Sequence, residues 1–233
     1  MMFKLHYIWL SALLVLGIAI ARFPANWAAK IAVPDAPITL GGTIWNGFVP
    51  PINAIPPIKF TTTPIGLFTD APVLEFSGAG NGISIKGEAN QNELTRVTMT
   101  GDAVFLGQID GRMKNLLGRF DMVVGNLPLG GNCEGVSGTI STDILTRNAT
   151  LWQWAGPPLS GPLVCENDIL TSTLSGNIPG QSVEAELKIM LDGNYQIRAV
   201  INTNTPEAGM VLPLYGFESQ GERYTINEAG RWM

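Results

Sequence analysis

Few residues in this chain have the type and spacing that chemistry needs. There is a single histidine, His6, and it lies inside an apolar run. Ser-His-Asp and Cys-His catalysis both need a histidine beside the nucleophile, so neither can be assembled in the rest of the chain. Histidine-rich metal sites are excluded with them. Two carboxylate pairs stand close in sequence. Glu184 and Glu186 alternate with Val183, Ala185 and Leu187, and with Lys188 they read as a solvated strand stripe. Glu166 and Asp168 flank an expected turn. A glycosidase needs two carboxylates opposed across a cleft, which spacing along a chain does not supply. Gly78-Ala79-Gly80-Asn81-Gly82 does not lead from a strand into a helix as a phosphate loop does, and it reads as a β-turn. Trp152 and Trp154, on a strand face or beside a turn, read as core or partner contacts rather than a sugar platform. No catalytic residue, cofactor or metal site is expected.

The elements that would carry any function begin with an export signal. Leu5–Ala21 is apolar, carries no formal charge and lies between Lys4 and Arg22. A bilayer core of roughly 30 Å takes about 20 apolar residues. Phe3 and Phe23 extend the run, and Trp9 and Trp27 stand where interfacial aromatics are common. Ala19-Ile20-Ala21 also fits the small-x-small pattern of a signal-peptidase site. Membrane anchor and cleaved signal both stay open, and both place residues 23 onward outside the cytoplasm. A buried core helix fits less well, since the run is apolar all round in a chain otherwise poor in helix signals.

The formal charge is −5, and −7 without Lys4 and Arg22. That balance argues against nucleic acid, and against an anionic lipid surface as main partner. Charged residues make up only 14%, beside 27 glycines and 16 prolines, which favours strands and turns over long helices. Cys133 and Cys165 are the two cysteines. An even count in an exported chain points to a disulfide. Two buried thiols or a metal pair are the alternatives, the latter poor without a nearby histidine.

Three segments follow: 1–22, the anchor or export segment; 23–37, a juxtamembrane linker stopped by Pro34 and Pro37; and 38–233, a β domain. Residues 38–47 read as a strand bent at Gly41-Gly42. The proline-rich stretch 48–74 reads as extended edge segments, because proline cannot donate to a ladder. Period-two alternation marks strands at 82–87, 95–100 and 120–124. Val183 to Leu191 and Tyr195 to Ile201 form a hairpin about Asp192-Gly193, and Asp110-Gly111 marks a similar turn. Helix is limited to short pieces near 141–149 and 206–215. The fold class is therefore mainly β: an antiparallel meander, as a curved sheet or a sandwich, behind an N-terminal segment that the anchor reading makes one transmembrane helix.

Several motifs together resemble the type II secretion system protein N family. They are Gly42-Thr43-Ile44-Trp45-Asn46-Gly47, Cys133-Glu134-Gly135-Val136-Ser137-Gly138, and Leu159-Ser160-Gly161-Pro162-Leu163-Val164-Cys165. Asp192-Gly193-Asn194-Tyr195 follows, then Leu214-Tyr215-Gly216-Phe217, Gly221-Glu222-Arg223-Tyr224 and Gly230-Arg231-Trp232. Each motif is short, and their order carries the match. The resemblance implies a bacterial inner-membrane subunit with a single membrane helix and a periplasmic domain, linking the secretion platform to the outer-membrane secretin. It implies no catalytic residues. A periplasmic lipid-binding or lipid-transfer module of AsmA-like type is the competing reading, since a meander with one apolar face can form a groove. A glycan hydrolase is the third.

Overall fold

Period-two alternation puts every second side chain on the same sheet face. The computed structural model describes residues 14–32, 39–51, 55–69, 71–90, 93–105, 115–128, 133, 135–190 and 193–231. Among them fourteen strands form one antiparallel sheet. They are β1 (Gly41–Gly42), β2 (Asn46–Val49), β3 (Ile58–Thr62), β4 (Leu74–Gly80), β5 (Ile83–Ala89), β6 (Glu93–Asp102) and β7 (Arg119–Pro128). Then come β8 (Ser137–Thr142), β9 (Leu159–Glu166), β10 (Ile169–Ile178), β11 (Gln181–Met190), β12 (Asn194–Thr203), β13 (Glu218–Gln220) and β14 (Arg223–Arg231). Each strand to β12 pairs with the next. β12 then pairs with β14, and β13 lies outermost.

Register aligns the apolar positions into rows. One runs Val49, Ile58, Gly78, Ile85, Met99, Met122, Ile140 and Gly161 across β2 to β9. It resumes as Leu174, Ala185, Ala199 and Ile226 across β10, β11, β12 and β14. A one-residue slip anywhere would turn that strand's apolar set to the other face. Over β6 to β14 this face is buried, and Leu159, Leu163, Leu174, Val183, Ile201 and Tyr224 pack with Trp152, Trp154, Ala208 and Leu212. Over β2 to β5 the same face is mostly half-buried, including Val49, Ile58, Phe60, Leu74, Phe76 and Ile85.

A repeated device fits rings onto this sheet. Phe60 lies across from Gly47, Phe76 from Gly87, Phe120 from Gly101 and Tyr195 from Gly230. At each of these glycines a Cβ would collide with the opposing ring. The missing side chain lets the ring lie against the neighbouring strand, which recovers packing that a strand glycine otherwise loses.

Connections in a meander fall alternately at two ends. The β1–β2, β3–β4, β7–β8, β9–β10 and β11–β12 connections share the end that receives the N-terminal residues, here called proximal. The β6–β7, β8–β9 and β12–β13 connections leave the distal end. Helices sit in the two last: Ile144–Arg147 and Ala149–Trp152, then Pro206–Val211, which tightens into a 3-10 turn at Leu212–Tyr215. Pro206 occupies the first turn, where its missing donor costs nothing.

Two expectations need correction. Residues 38–47 are not one strand: Gly42 has φ +81°, and the chain reverses through Thr43–Trp45 between β1 and β2. The 48–74 stretch is not confined to an edge, since Ile58–Thr62 sits between β2 and β4. Its prolines fall in the flanking connections, where no ladder donor is needed. Of the two places expected for Trp152 and Trp154, a strand face or beside a turn, the second holds: Trp152 closes a short helix and the pair flanks the turn at Gln153. Residues 14–21 are helical. Among the described residues no helix is long and apolar enough to cross a membrane. Residues 5–13 of the apolar run, the Asp110-Gly111 turn, Asp192, Pro34 and Pro37 lie outside the described residues.

Candidate functional site

The motif residues do not converge on one pocket. They form three structural joints.

The first joint ties the N-terminal helix to the sheet edge. Thr43 N–H donates to the Asn46 carbonyl at 3.0 Å, and Asn46 N–H donates to Thr43 Oγ1 at 3.2 Å. This closes the turn that Gly42 opens. It points Trp45 at the helix end, where its Nε1 donates to the Ile20 carbonyl at 2.9 Å. Carbonyls in a last helical turn lack partners within the helix; that of Ile20 accepts from the Phe23 N–H at 3.3 Å and, at the shorter distance, from the indole. Ile44 N–H donates to the Phe23 carbonyl at 3.0 Å, and Pro24 bridges Thr43. Gly47, the last residue of this group, lies under Phe60.

The second joint is in β9. Its ladder with β10 runs from Glu166 to Leu163 and resumes only at Ser160, so Gly161 and Pro162 interrupt it. Pro162 has no donor to offer. A Cβ on Gly161 would overlap the Thr173 carbonyl oxygen, so the two backbones approach where the ladder is broken. Beyond them on β9, Cys165 is disulfide-bonded to Cys133, with Cα atoms 5.6 Å apart. Cys133 is fully buried. The Asp168 carboxylate accepts from Cys133 N–H at 3.4 Å. Cys133, Cys165 and Asp168 are the one close group of potential metal ligands among the described residues, and the disulfide consumes both sulfurs.

The third joint is the β11–β12 hairpin. Gly193 has φ +85°, and its N–H donates to the Met190 carbonyl at 3.1 Å. Tyr195 follows on β12 and lies over Gly230 of β14, where a Cβ would come within 2.6 Å of the phenol oxygen. Glu186 pairs with Lys188 at 2.8 Å along the solvated stripe.

At the distal end the aromatics pack inward. Trp152 Nε1 donates to the Tyr215 hydroxyl at 3.0 Å, and the rings meet edge to face at 5.4 Å. Trp154 stacks on Trp152 at 6.0 Å and is buried. Asn148, fully buried, was not singled out by sequence reasoning. Its Nδ2 donates to the Leu117 and Ile144 carbonyls, both at 2.7 Å, and its Oδ1 accepts from Leu117 N–H at 2.9 Å. It fastens the β6–β7 connection to the first distal helix, and an isolated asparagine gives no local signal of that role. Outside this packing, Leu151, Met210 and Leu214 are exposed, the last at 74%. Val104 and Leu117 are exposed on the β6–β7 connection. Two open clefts of about 350 and 340 Å³ also lie at this end, and include Asp102 and Arg119 in one and Gln181 and Glu222 in the other.

Asp143 fastens the distal helices to β7. Its carboxylate accepts from Arg119 N–H at 2.7 Å and from Arg147 Nε at 2.9 Å. Partial burial works to raise its pKa, but the hydrogen bonds and charge of Arg147 and the Arg119 amide outweigh it and hold the group below the ordinary aspartate value. A depressed folded pKa means stability that is present above the unfolded value of about 3.9 and is lost as pH falls through the folded value. Asp143→Asn is therefore expected to lower the urea midpoint at neutral pH and to flatten its decline below about pH 4. Parallel acid profiles for variant and wild type would remove Asp143 from this role.

No family model, curated protein or solved structure matches this chain.

Proposed function

We propose that this chain is a non-catalytic, inner-membrane-anchored periplasmic component of the type II protein secretion system, linking platform and secretin. The ordered motif resemblance supplies the system. One observation supports a scaffold in it: the two ends of the sheet are unlike. The proximal end receives the apolar N-terminal helix, fastened by Trp45. The distal end presents Leu151, Met210 and Leu214 to solvent on helical segments that pack against each other. A tether at one end and an exposed apolar surface at the other suit a protein that holds a partner at a set distance from the bilayer. The anchor confines the domain, and its partners are other secretion subunits, the secretin among them.

Photo-crosslinkers at positions 151, 210 and 214, used in cells, test this. Adducts to inner-membrane secretion subunits or to the secretin are expected. Leu214→Ser should weaken those adducts without changing the melting temperature, because the side chain is already exposed. Adducts dominated by lipid would instead favour the AsmA-like reading. That reading draws on the half-buried apolar face of β2 to β5, and predicts lipid in the purified domain.

A further inference from the structure

The β3–β4 connection carries a strongly exposed aromatic side chain. Phe68 is 86% exposed, and Ile65 of the same connection is also exposed. Leaving these side chains in water forgoes the stabilisation that burying their apolar surface would provide. The connection is also well braced. Phe68 N–H donates to the Ile65 carbonyl at 3.0 Å, and Thr69 Oγ1 donates to the same oxygen at 3.0 Å. Thr63 N–H donates to the Val73 carbonyl at 2.8 Å. A Cβ on Gly66 would sit 2.7 Å from the Pro72 carbonyl oxygen, so the two limbs of the connection are close packed. The structure thus holds two apolar side chains outward on a braced turn.

Their position says what covers them. Thr62 N–H donates to the Trp45 carbonyl at 2.9 Å, and the Trp45 indole holds the Ile20 carbonyl at the helix end. The β3–β4 connection therefore starts at the corner where the N-terminal helix meets the sheet. In that helix Leu14, Val15, Leu16, Ile18 and Ile20 are all exposed. Whatever medium covers those side chains extends to the same corner. The helix Ala25–Ala32 continues there, with Trp27 66% exposed. Arg22 and Lys30 are exposed beside it, a local cationic pair on a chain of net charge −5. An aromatic–apolar surface next to long basic side chains matches the headgroup boundary of a bilayer, where amphipathic rings sit and basic side chains snorkel.

We propose that Ile65 and Phe68, with Trp27, form a seat on the bilayer that carries the N-terminal helix. The occupant is lipid, at the depth of the headgroup and upper acyl region. The seat rests on the anchor reading above, and it adds that the sheet stands on the membrane by its β1–β4 corner and does not swing freely from a linker.

The full chain in nanodiscs of phosphatidylethanolamine and phosphatidylglycerol tests this. Phe68→Cys, Leu16→Cys and Leu214→Cys are labelled one at a time with an environment-sensitive fluorophore, the native cysteines being locked in their disulfide. Quenching by nitroxide-bearing lipid is then read at each position. Strong quenching and a blue shift are expected at 16 and 68, with little of either at 214. Quenching at 16 with 68 behaving like 214 overturns the seat and leaves the anchor standing. No quenching at 16 overturns the anchor, and the seat with it.

Discussion

Gly161→Val is expected to destabilise the chain by about 3 kcal/mol or more, the upper part of the range for overpacked sites. For a domain of this size that lowers the melting temperature by roughly 6–12 °C, at about 2–4 °C per kcal/mol. The reason is the kind of obstacle. At Gly101 and Gly87 an added Cβ meets only an aromatic ring, and a side chain can turn or be trimmed. At Gly161 it meets the Thr173 carbonyl oxygen and carbon and the Leu174 Cα. Relief there requires β9 and β10 to separate, and the neighbouring pairs Leu163–Ser172 and Ser160–Ser175 resist it. The two classes of glycine are thus distinguishable by rescue. Phe120→Leu should recover much of the loss in Gly101→Val, whereas no side-chain trimming on β10 should recover Gly161→Val. Thermal melts of both pairs decide this. A Gly161→Val chain that melts with the wild type would mean that the close approach of β9 and β10 contributes nothing.

The sheet was legible where its signals are local. Alternation at Ile83 and Ile85, at Val97 and Met99, and at Val183 to Ile189 needs only neighbours in sequence, and these residues lie on β5, β6 and β11 as expected. The hairpin β11–β12 pairs in the expected place, with Leu187 opposite Ile197. Legibility ended where a distant segment decides the outcome. Gly42-Thr43-Ile44-Trp45 has the apolar content of a strand, and its turn depends on a positive φ at Gly42 and a Thr43–Asn46 exchange of hydrogen bonds. The bond from Trp45 to Ile20 spans 25 residues, and no spacing rule announces it. The reversed order of β13 and β14 is likewise set by pairing with β12, not by position in the chain. Proline was over-read. A stretch crowded with prolines still contained Ile58–Thr62, free of them and able to pair on both sides. Conversely Pro162 sits within β9, where it and Gly161 interrupt the ladder with β10. The roles of Asn148 and Phe68 were invisible for the same reason: each depends on what the fold brings beside it.

Removing the disulfide should cost about as much as Gly161→Val, through the unfolded state instead of the native one. Cys133 and Cys165 are 32 residues apart, and closing a loop of that length stabilises by roughly 3–4 kcal/mol in the chain-entropy model. The native contribution is separable. Cys133 is fully buried beside Val136, whose N–H donates to the Cys133 carbonyl at 3.2 Å. A serine there would bury a hydroxyl at further cost. The Cys133→Ala, Cys165→Ala double variant is therefore the cleaner probe of the crosslink, and Cys133→Ser should melt lower than it. Reduction supplies the control: thiol reductant should lower the melting temperature of the wild type toward that of the double variant and leave the double variant unchanged. The loop so closed holds β8 and both distal helices Ile144–Arg147 and Ala149–Trp152, although the bond itself lies at the proximal end. Losing it should thus raise hydrogen exchange in β8 and β9 more than in the β11–β12 hairpin, whose ladder lies outside the loop. Uniform exchange across the sheet, or identical melts for wild type and double variant, would show that the ladders alone fix this region and that the crosslink is dispensable to its stability.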